Sequence, residues 1–175
     1  MIYHLSLLAS VASWSVGVER ETTPGVYMRL LYEAQGWSVW RYEDQTFTDC
    51  EIGKGSNGRL VRPVANAAGY LGGGEPSLGM TDGKWSIHGF GSHGERLQYR
   101  VLGARFFNDV KGRELPDFPD GAKVEVVWTA WDSQLLIERY DQRGIIDFAG
   151  KINALAALAR CQEQISKDGG LTPGG

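Results

Sequence analysis

A chain of 175 residues is long enough for one domain with its own hydrophobic core. Its net charge of -3 supplies no basic field for nucleic acid, and no segment is apolar for long enough to span a bilayer as a transmembrane helix. Twenty-four glycines beside 6 Trp, 7 Tyr and 6 Phe argue against a helical bundle and for short aromatic strands joined by many turns.

Residues 1–17, MIYHLSLLASVASWSVG, are small and apolar, with no charge until Glu19. They fit an export signal peptide, in which Ser10-Val11-Ala12 resembles a small-residue cleavage site, or a first strand. Residues 19–24, ERETTP, are polar and are expected as a linker or first turn, so 1–24 stand apart as an N-terminal segment. Residues 26–32 then alternate, with Val26, Met28, Leu30 and Tyr32 against Tyr27, Arg29 and Leu31, as in a half-buried strand. Gly36 ends it. Residues 37–42 put Trp37, Val39 and Arg41 on one face and Ser38, Trp40 and Tyr42 on the other. Residues 43–45 turn, and 46–52 return as a hairpin strand with Cys50 on the side of Thr48 and Ile52. Residues 53–58 are expected as a flexible turn ending on Asn57-Gly58.

The middle of the chain holds most of the residues with chemical potential. Residues 60–64 fit a strand ended by Pro63. The run Gly72-Gly73-Gly74 lacks the lysine and hydroxyl that a phosphate loop needs, so 69–79 is expected as a mobile loop. Residues 84–90 form a strand, and 87–97, IHGFGSHGERL, contain two of the three histidines. Ile87-His88-Gly89 and Ser92-His93-Gly94 resemble fragments of the L,D-transpeptidase signature. Glu95 stands where that family has its cysteine nucleophile, so thiolate chemistry cannot run. His88 and His93, with Asp82 and Glu95 near in sequence, are one arrangement for zinc, against the simpler reading of solvated loop histidines. No metal and no cofactor is assigned.

Residues 96–102 alternate and are expected to pair with 84–90 as a second hairpin. Phe106, Phe107 and Val110 continue the sheet or cover its edge. In 113–121, RELPDFPDG, Asp117 and Asp120 are either a carboxylate pair for acid–base work or turn formers beside proline and glycine. Residues 123–131 are the clearest strand, with Val124, Val126, Trp128 and Ala130 facing one way. Residues 134–140 return, 141–144 turn, and 145–148 form a last strand, which makes a meander.

The segment 144–165, GIIDFAGKINALAALARCQEQI, runs from that strand into a helix over 151–165. Gly150 is its N-cap and Gly169-Gly170 stop it, leaving 167–175 as a flexible tail. Ile152, Leu155, Ala156, Leu158, Ala159 and Ile165 recur at helical spacing as the apolar stripe, with Cys161 at its edge. Cys161 and Cys50 are the only 2 cysteines, and they form either a disulfide or buried free thiols. Many strands and one terminal helix make residues 25–166 a single mainly β domain: an antiparallel β-sandwich or open barrel with a C-terminal helix packed on it.

A Trp-rich strand running to Cys50, then a strand, Gly150, an alanine-rich helix and Cys161, resembles small bacterial periplasmic proteins of the invasion-associated locus B type. The resemblance covers 36–52 and 121–163. It implies a periplasmic or secreted β-rich protein of the bacterial envelope and contributes no catalytic residues. No Gly-x-Ser-x-Gly elbow or nucleophile–base pair is present, so no catalytic residue is named and an enzyme is the least favoured class. A non-catalytic binding or interaction module comes first, its partner another protein or envelope component. A periplasmic inhibitor of a hydrolase, acting through the Gly-rich loop or the histidine loop, is the alternative. Trp40, Tyr42 and Trp131, with His88 and His93, are the candidate contact residues, since aromatics dominate binding hot spots. Burial in the core is the competing reading for each tryptophan.

Overall fold

A computed structural model describes residues 15–55, 77–81, 83–88, 96–132 and 137–168, without the side chains of 81, 88 and 128–142. A two-residue hairpin joins β2 (Val26–Ala34) to β3 (Trp37–Glu43). Between them Gln35 and Gly36 take positive φ, 52° and 77°. Two such residues make the type I′ turn whose twist suits a two-residue hairpin, and Ala34 falls opposite Trp37. The strands that follow are β4 (Thr48–Gly55), β5 (Ser77–Thr81), β6 (Lys84–His88), β7 (Arg96–Val101), β8 (Asn108–Asp109) and β9 (Glu114–Leu115). The chain then forms β10 (Lys123–Asp132), β11 (Ile137–Asp147) and the helix α1 (Lys151–Lys167).

The architecture is mainly β, in two antiparallel sheets with one C-terminal helix packed against them. A seven-stranded sheet begins at β1 (Glu19–Thr23) and runs β1-β2-β3-β4-β5-β6-β9; a four-stranded sheet runs β11-β10-β7-β8. Neither closes into a barrel. The helix lies on β2, β3 and β4. One core joins all three layers: Trp37, Val39, Cys50, Ile52, Leu78, Trp85 and Ile87 from the large sheet, Val124, Val126 and Ile146 from the small one, and Ala154, Leu158, Cys161 and Ile165 from the helix. Trp37, fully buried, sits 5.5 Å from the Trp85 ring and 6.1 Å from Phe148, and its indole N–H donates to the Ala149 carbonyl at 2.8 Å. Met28, Leu30, Trp40 and Tyr42 make a second cluster, built from alternate residues of β2 and of β3, the strand whose other face supplies Trp37 and Val39 to the first.

Cys50 and Cys161 are joined in a disulfide with Cα atoms 6.1 Å apart, so the helix is tied to β4 across 111 residues. Cys161 lies in the middle of the buried helix face. That face is Lys151, Ala154, Ala157, Leu158, Cys161 and Ile165. The expected stripe is therefore rotated: Ile152 is 65% exposed, and Ala156 and Ala159 are also on the solvent side. Alanines around much of the helix leave the phase of the stripe ill-defined in sequence, and the disulfide with the Lys151 contacts sets it. The helix also continues to Lys167, two residues past its expected end.

Several other expectations are corrected. Residues 19–23 are the edge strand β1, where alternate charged and polar residues suit an exposed edge and not a linker. A bulge at Leu31 moves Tyr32 opposite Val39, so Tyr32 leaves the face of Leu30 and packs with Leu31 on the main core. Strand β4 runs on to Gly55 through the expected start of a turn. Ser77, Leu78 and Gly79, expected in a mobile loop, belong to β5, where the close Gly53–Gly79 pairing and the fully buried Leu78 hold them. Strand β6 pairs with β5 and β9, and β7 pairs with β10 and β8, so 84–90 and 96–102 form no hairpin. The expected turn at 141–144 is inside β11, where Asp141, Gln142, Arg143 and Gly144 pair with Thr129, Trp128, Val127 and Val126. Pairing along the whole of β10 overrides local turn preference there. The export-signal reading of 1–14, the Asn57-Gly58 turn, the strand at 60–64, the glycine run at 72–74 and the tail at 169–175 lie outside the described residues.

Gly150 precedes the helix at φ 80°, and a Cβ there would meet the Gln35 carboxamide oxygen at 2.0 Å. Gly150→Ala should therefore cost about 1–2 kcal/mol, chiefly for the left-handed backbone, measured by urea unfolding. Reducing the disulfide, or making Cys50→Ala with Cys161→Ala, should lower stability by up to about 4–5 kcal/mol on chain-entropy grounds. The far-UV circular dichroism should keep its β signal, since the core spans both sheets. Two free thiols in denatured, unreduced protein would contradict the bond.

Candidate functional site

The last turns of α1 carry Arg160, Cys161, Gln164 and Asp168. Spacings of four bring Arg160, Gln164 and Asp168 into one row along the helix. That row faces Arg29 and Leu31 of β2 and Arg41 of β3 across a cleft of ≈ 490 Å³. Arg29 and Arg41 are direct cross-strand partners, and Arg41 is also opposite Cys50. The disulfide thus fixes the helix end over the strand pair that supplies two of the arginines.

Among the described residues, Arg41 is the only one of the three arginines with ion pairs. One terminal nitrogen meets Asp168 Oδ2 at 3.2 Å and the other meets Glu43 Oε2 at 3.4 Å. Its Nε is shut off from solvent and makes no hydrogen bond. Arg29 and Arg160 form no ion pair among the described residues. Three arginines against one aspartate leave the cleft lining with two net positive charges.

The outer face of the small sheet is arranged differently. Glu125 lies between Arg100 at 2.6 Å and Arg143 at 3.3 Å, Lys123 meets Asp147 at 3.5 Å, and Asp109 accepts from Arg96 and Gln98. Each of these acids meets at least one cation, with Glu125 shared by two arginines, and the Arg100 guanidinium also lies 4.4 Å over the Phe107 ring.

The residues singled out in the sequence fall in several places. Trp40 is fully buried and Tyr42 is 6% exposed, both in the second cluster, so both side chains are core and not exposed contact surface. Burial, then Asp44, pushes the Tyr42 phenol up from its ordinary value. Trp131 and His88 are paired by their backbones in β10 and β6, but their side chains lie outside the described residues, as does all of His93. Asp117 and Asp120 do not converge as an acid–base pair. Asp117 accepts from Lys151 Nζ at 2.7 Å and from the Trp85 indole at 2.8 Å, which hold its carboxyl below the usual range. Asp120 accepts from the Ile152 amide at 3.3 Å and caps the helix that Gly150 leaves without a side-chain cap. Among the described residues, no three of His, Cys, Asp and Glu form a metal-ion cluster, and no helix is long and apolar enough to cross a membrane.

Sequence reasoning missed the arginines because they are far apart in the chain. It also missed two buried lysines. Lys151 lies under the helix start, with Asp117 and the Phe118 carbonyl as its acceptors. Lys54 donates to the Gln35 carbonyl and lies 5.3 Å from the centre of the Trp37 ring; burial lowers its pKa. The spacing of Lys151 from Ala154, Leu158 and Cys161 was the one available signal, since it continues the buried helix row.

Comparison of the chain with protein-family models, with curated proteins and with solved structures returns no match.

Glu51, cross-strand from Trp40, is the acid raised furthest among the described residues. Burial, then the nearby charge of Asp49, raises its carboxyl from 4.5 to about 7. The folded state holds this proton more tightly than the unfolded chain does. Glu51 therefore favours folding below its ordinary value, and that contribution is lost as pH rises from about 4.5 to about 7. Urea midpoints measured across this window should fall less steeply with pH in Glu51→Gln than in the native protein. Parallel curves would remove Glu51 as the cause.

Proposed function

We propose that this protein is an exported, non-catalytic binding module of the bacterial envelope, and that the cleft between α1 and the β2–β3 hairpin is its contact site for an anionic group on a partner. The observation that carries the reading is the set of three arginines in one cleft, two of them without an acidic partner among the described residues. Placing a cation opposite a like charge in a sheet is unfavourable. Arg29 and Arg41 are placed in that way, and a bound anion relieves the repulsion. The disulfide supports an oxidising compartment. Buried Trp40 and Tyr42 move the contact surface away from the aromatics and onto the basic cleft. The hydrolase-inhibitor reading loses part of its Gly-rich loop, because 77–79 are held in β5.

Immobilised, oxidised protein should retain a single partner from an envelope fraction. Arg29→Glu with Arg160→Glu should reduce that retention at least about tenfold, since two favourable charges become repulsive. Both side chains are exposed, so the variant should keep the native circular dichroism. Equal retention by the variant would remove the cleft from the contact site. Turnover in esterase, peptidase or glycosidase screens would replace the binding reading with an enzymatic one.

A further inference from the structure

We infer that the anionic group taken by the cleft is an organic dicarboxylate, and that Asp168 occupies its position on Arg41 until the ligand displaces it. The inference rests on the binding reading above and adds the chemistry of the ligand.

Asp168 is electrostatically misplaced. It is the C-cap of α1, where the helix macrodipole is negative and a carboxylate is disfavoured. What holds it is lateral: Oδ2 accepts from Arg41 at 3.2 Å and Oδ1 accepts from the Gln164 amide at 2.8 Å. The Arg41 contacts are single and long. Charge-assisted pairs reach about 2.7–2.9 Å, and an arginine fork binds a carboxylate best through two parallel bonds. Arg41 instead divides its terminal nitrogens between Asp168 and Glu43 at 3.2 and 3.4 Å. A free carboxylate entering the cleft offers the paired geometry that the tethered Asp168 does not reach.

Charge and shape define the rest of the ligand. With Asp168 in place the lining is two charges positive, supplied in excess by Arg29 and Arg160. A second carboxylate answers that excess. Leu31 and Cys161 give the same cleft an apolar wall. A carbon chain between two carboxylates packs on such a wall, and inorganic phosphate has no apolar surface to do so. A cleft of ≈ 490 Å³ matches the usual size of small-molecule sites. The paired carboxylates can be free or carried on an acidic segment of a partner.

The test is a calorimetric titration of the oxidised full chain at low ionic strength with glutarate, triglutamate peptide, inorganic phosphate and acetate. Saturable binding of glutarate is expected, with phosphate and acetate at least about tenfold weaker, the factor set by loss of one good charge-assisted contact. Saturation by triglutamate with none by glutarate assigns the carboxylates to a partner segment and equally supports the inference. Asp168→Asn should tighten binding several-fold, because the internal competitor is gone. Arg41→Gln should weaken it at least about tenfold. Arg160→Gln, at an exposed helix position with no ion pair among the described residues, should weaken it too and serves if Arg41→Gln fails to fold. Phosphate binding as tight as the carboxylates, or Asp168→Asn leaving affinity unchanged or lower, overturns the inference. No saturable carboxylate binding, with envelope capture still dependent on Arg29 and Arg160, overturns the ligand class and leaves the binding reading. Loss of both removes the two together.

Discussion

The hydrogen bond from the Trp37 indole to the Ala149 carbonyl is the contact on which the rest of the molecule depends. Trp37 opens β3 in the large sheet. Ala149 lies between the last strand of the small sheet and the first turn of the helix. One buried donor therefore ties both sheets and the helix start together. An unpaired indole N–H at a fully buried site would be costly, so the junction is held in a single arrangement. The Gln35-Gly36 turn and Gly150 pack against the same point, and Gly150 leaves room for the Gln35 carboxamide where any side chain would intrude. Lys54 closes it from the other side, donating to the Gln35 carbonyl beside the Trp37 ring.

With its start fixed by Trp37, Lys151 and Asp120, the helix has its far end fixed by the Cys50–Cys161 bond. Two anchors on a rigid rod determine where Arg160, Gln164 and Asp168 lie over Arg29 and Arg41. The cleft is thus a consequence of how the helix is docked, and its geometry rests on elements that are well packed. The same docking explains why cations collect there. On the small sheet opposite charges meet across strands, as Glu125 does with Arg100 and Arg143. At the cleft, Arg29 and Arg41 meet as like charges, with Asp168 as the local carboxylate on the helix side.

Buried charge in this protein is tolerated through specific partners. Lys151 is almost wholly enclosed, yet it has a carboxylate and a carbonyl within reach. Glu51 has no such cation among the described residues, and burial raises its carboxyl to about 7. The difference follows from burial cost: an ion that leaves water must be paired or neutralised.

The sequence by itself determined the mainly β class, the terminal helix, the β3 faces that divide Trp37 and Val39 from Trp40 and Tyr42, and the two cysteines available for bonding. Those properties are written in local periodicity and composition, which act over a few residues. Tertiary structure alone decided the rest. Strand β11 runs through a segment that looks like a turn because β10 offers it pairing along its full length. Strands β6 and β7 went to different sheets because alternation gives a strand its faces and does not name its neighbour. The helix stripe rotated to Lys151, Ala154, Leu158 and Cys161 because alanine leaves the phase open until a disulfide closes it. The cleft was the least legible feature. Arg29, Arg41 and Arg160 are ordinary polar positions of two strands and a helix, and they line one cleft because long-range docking brings them together.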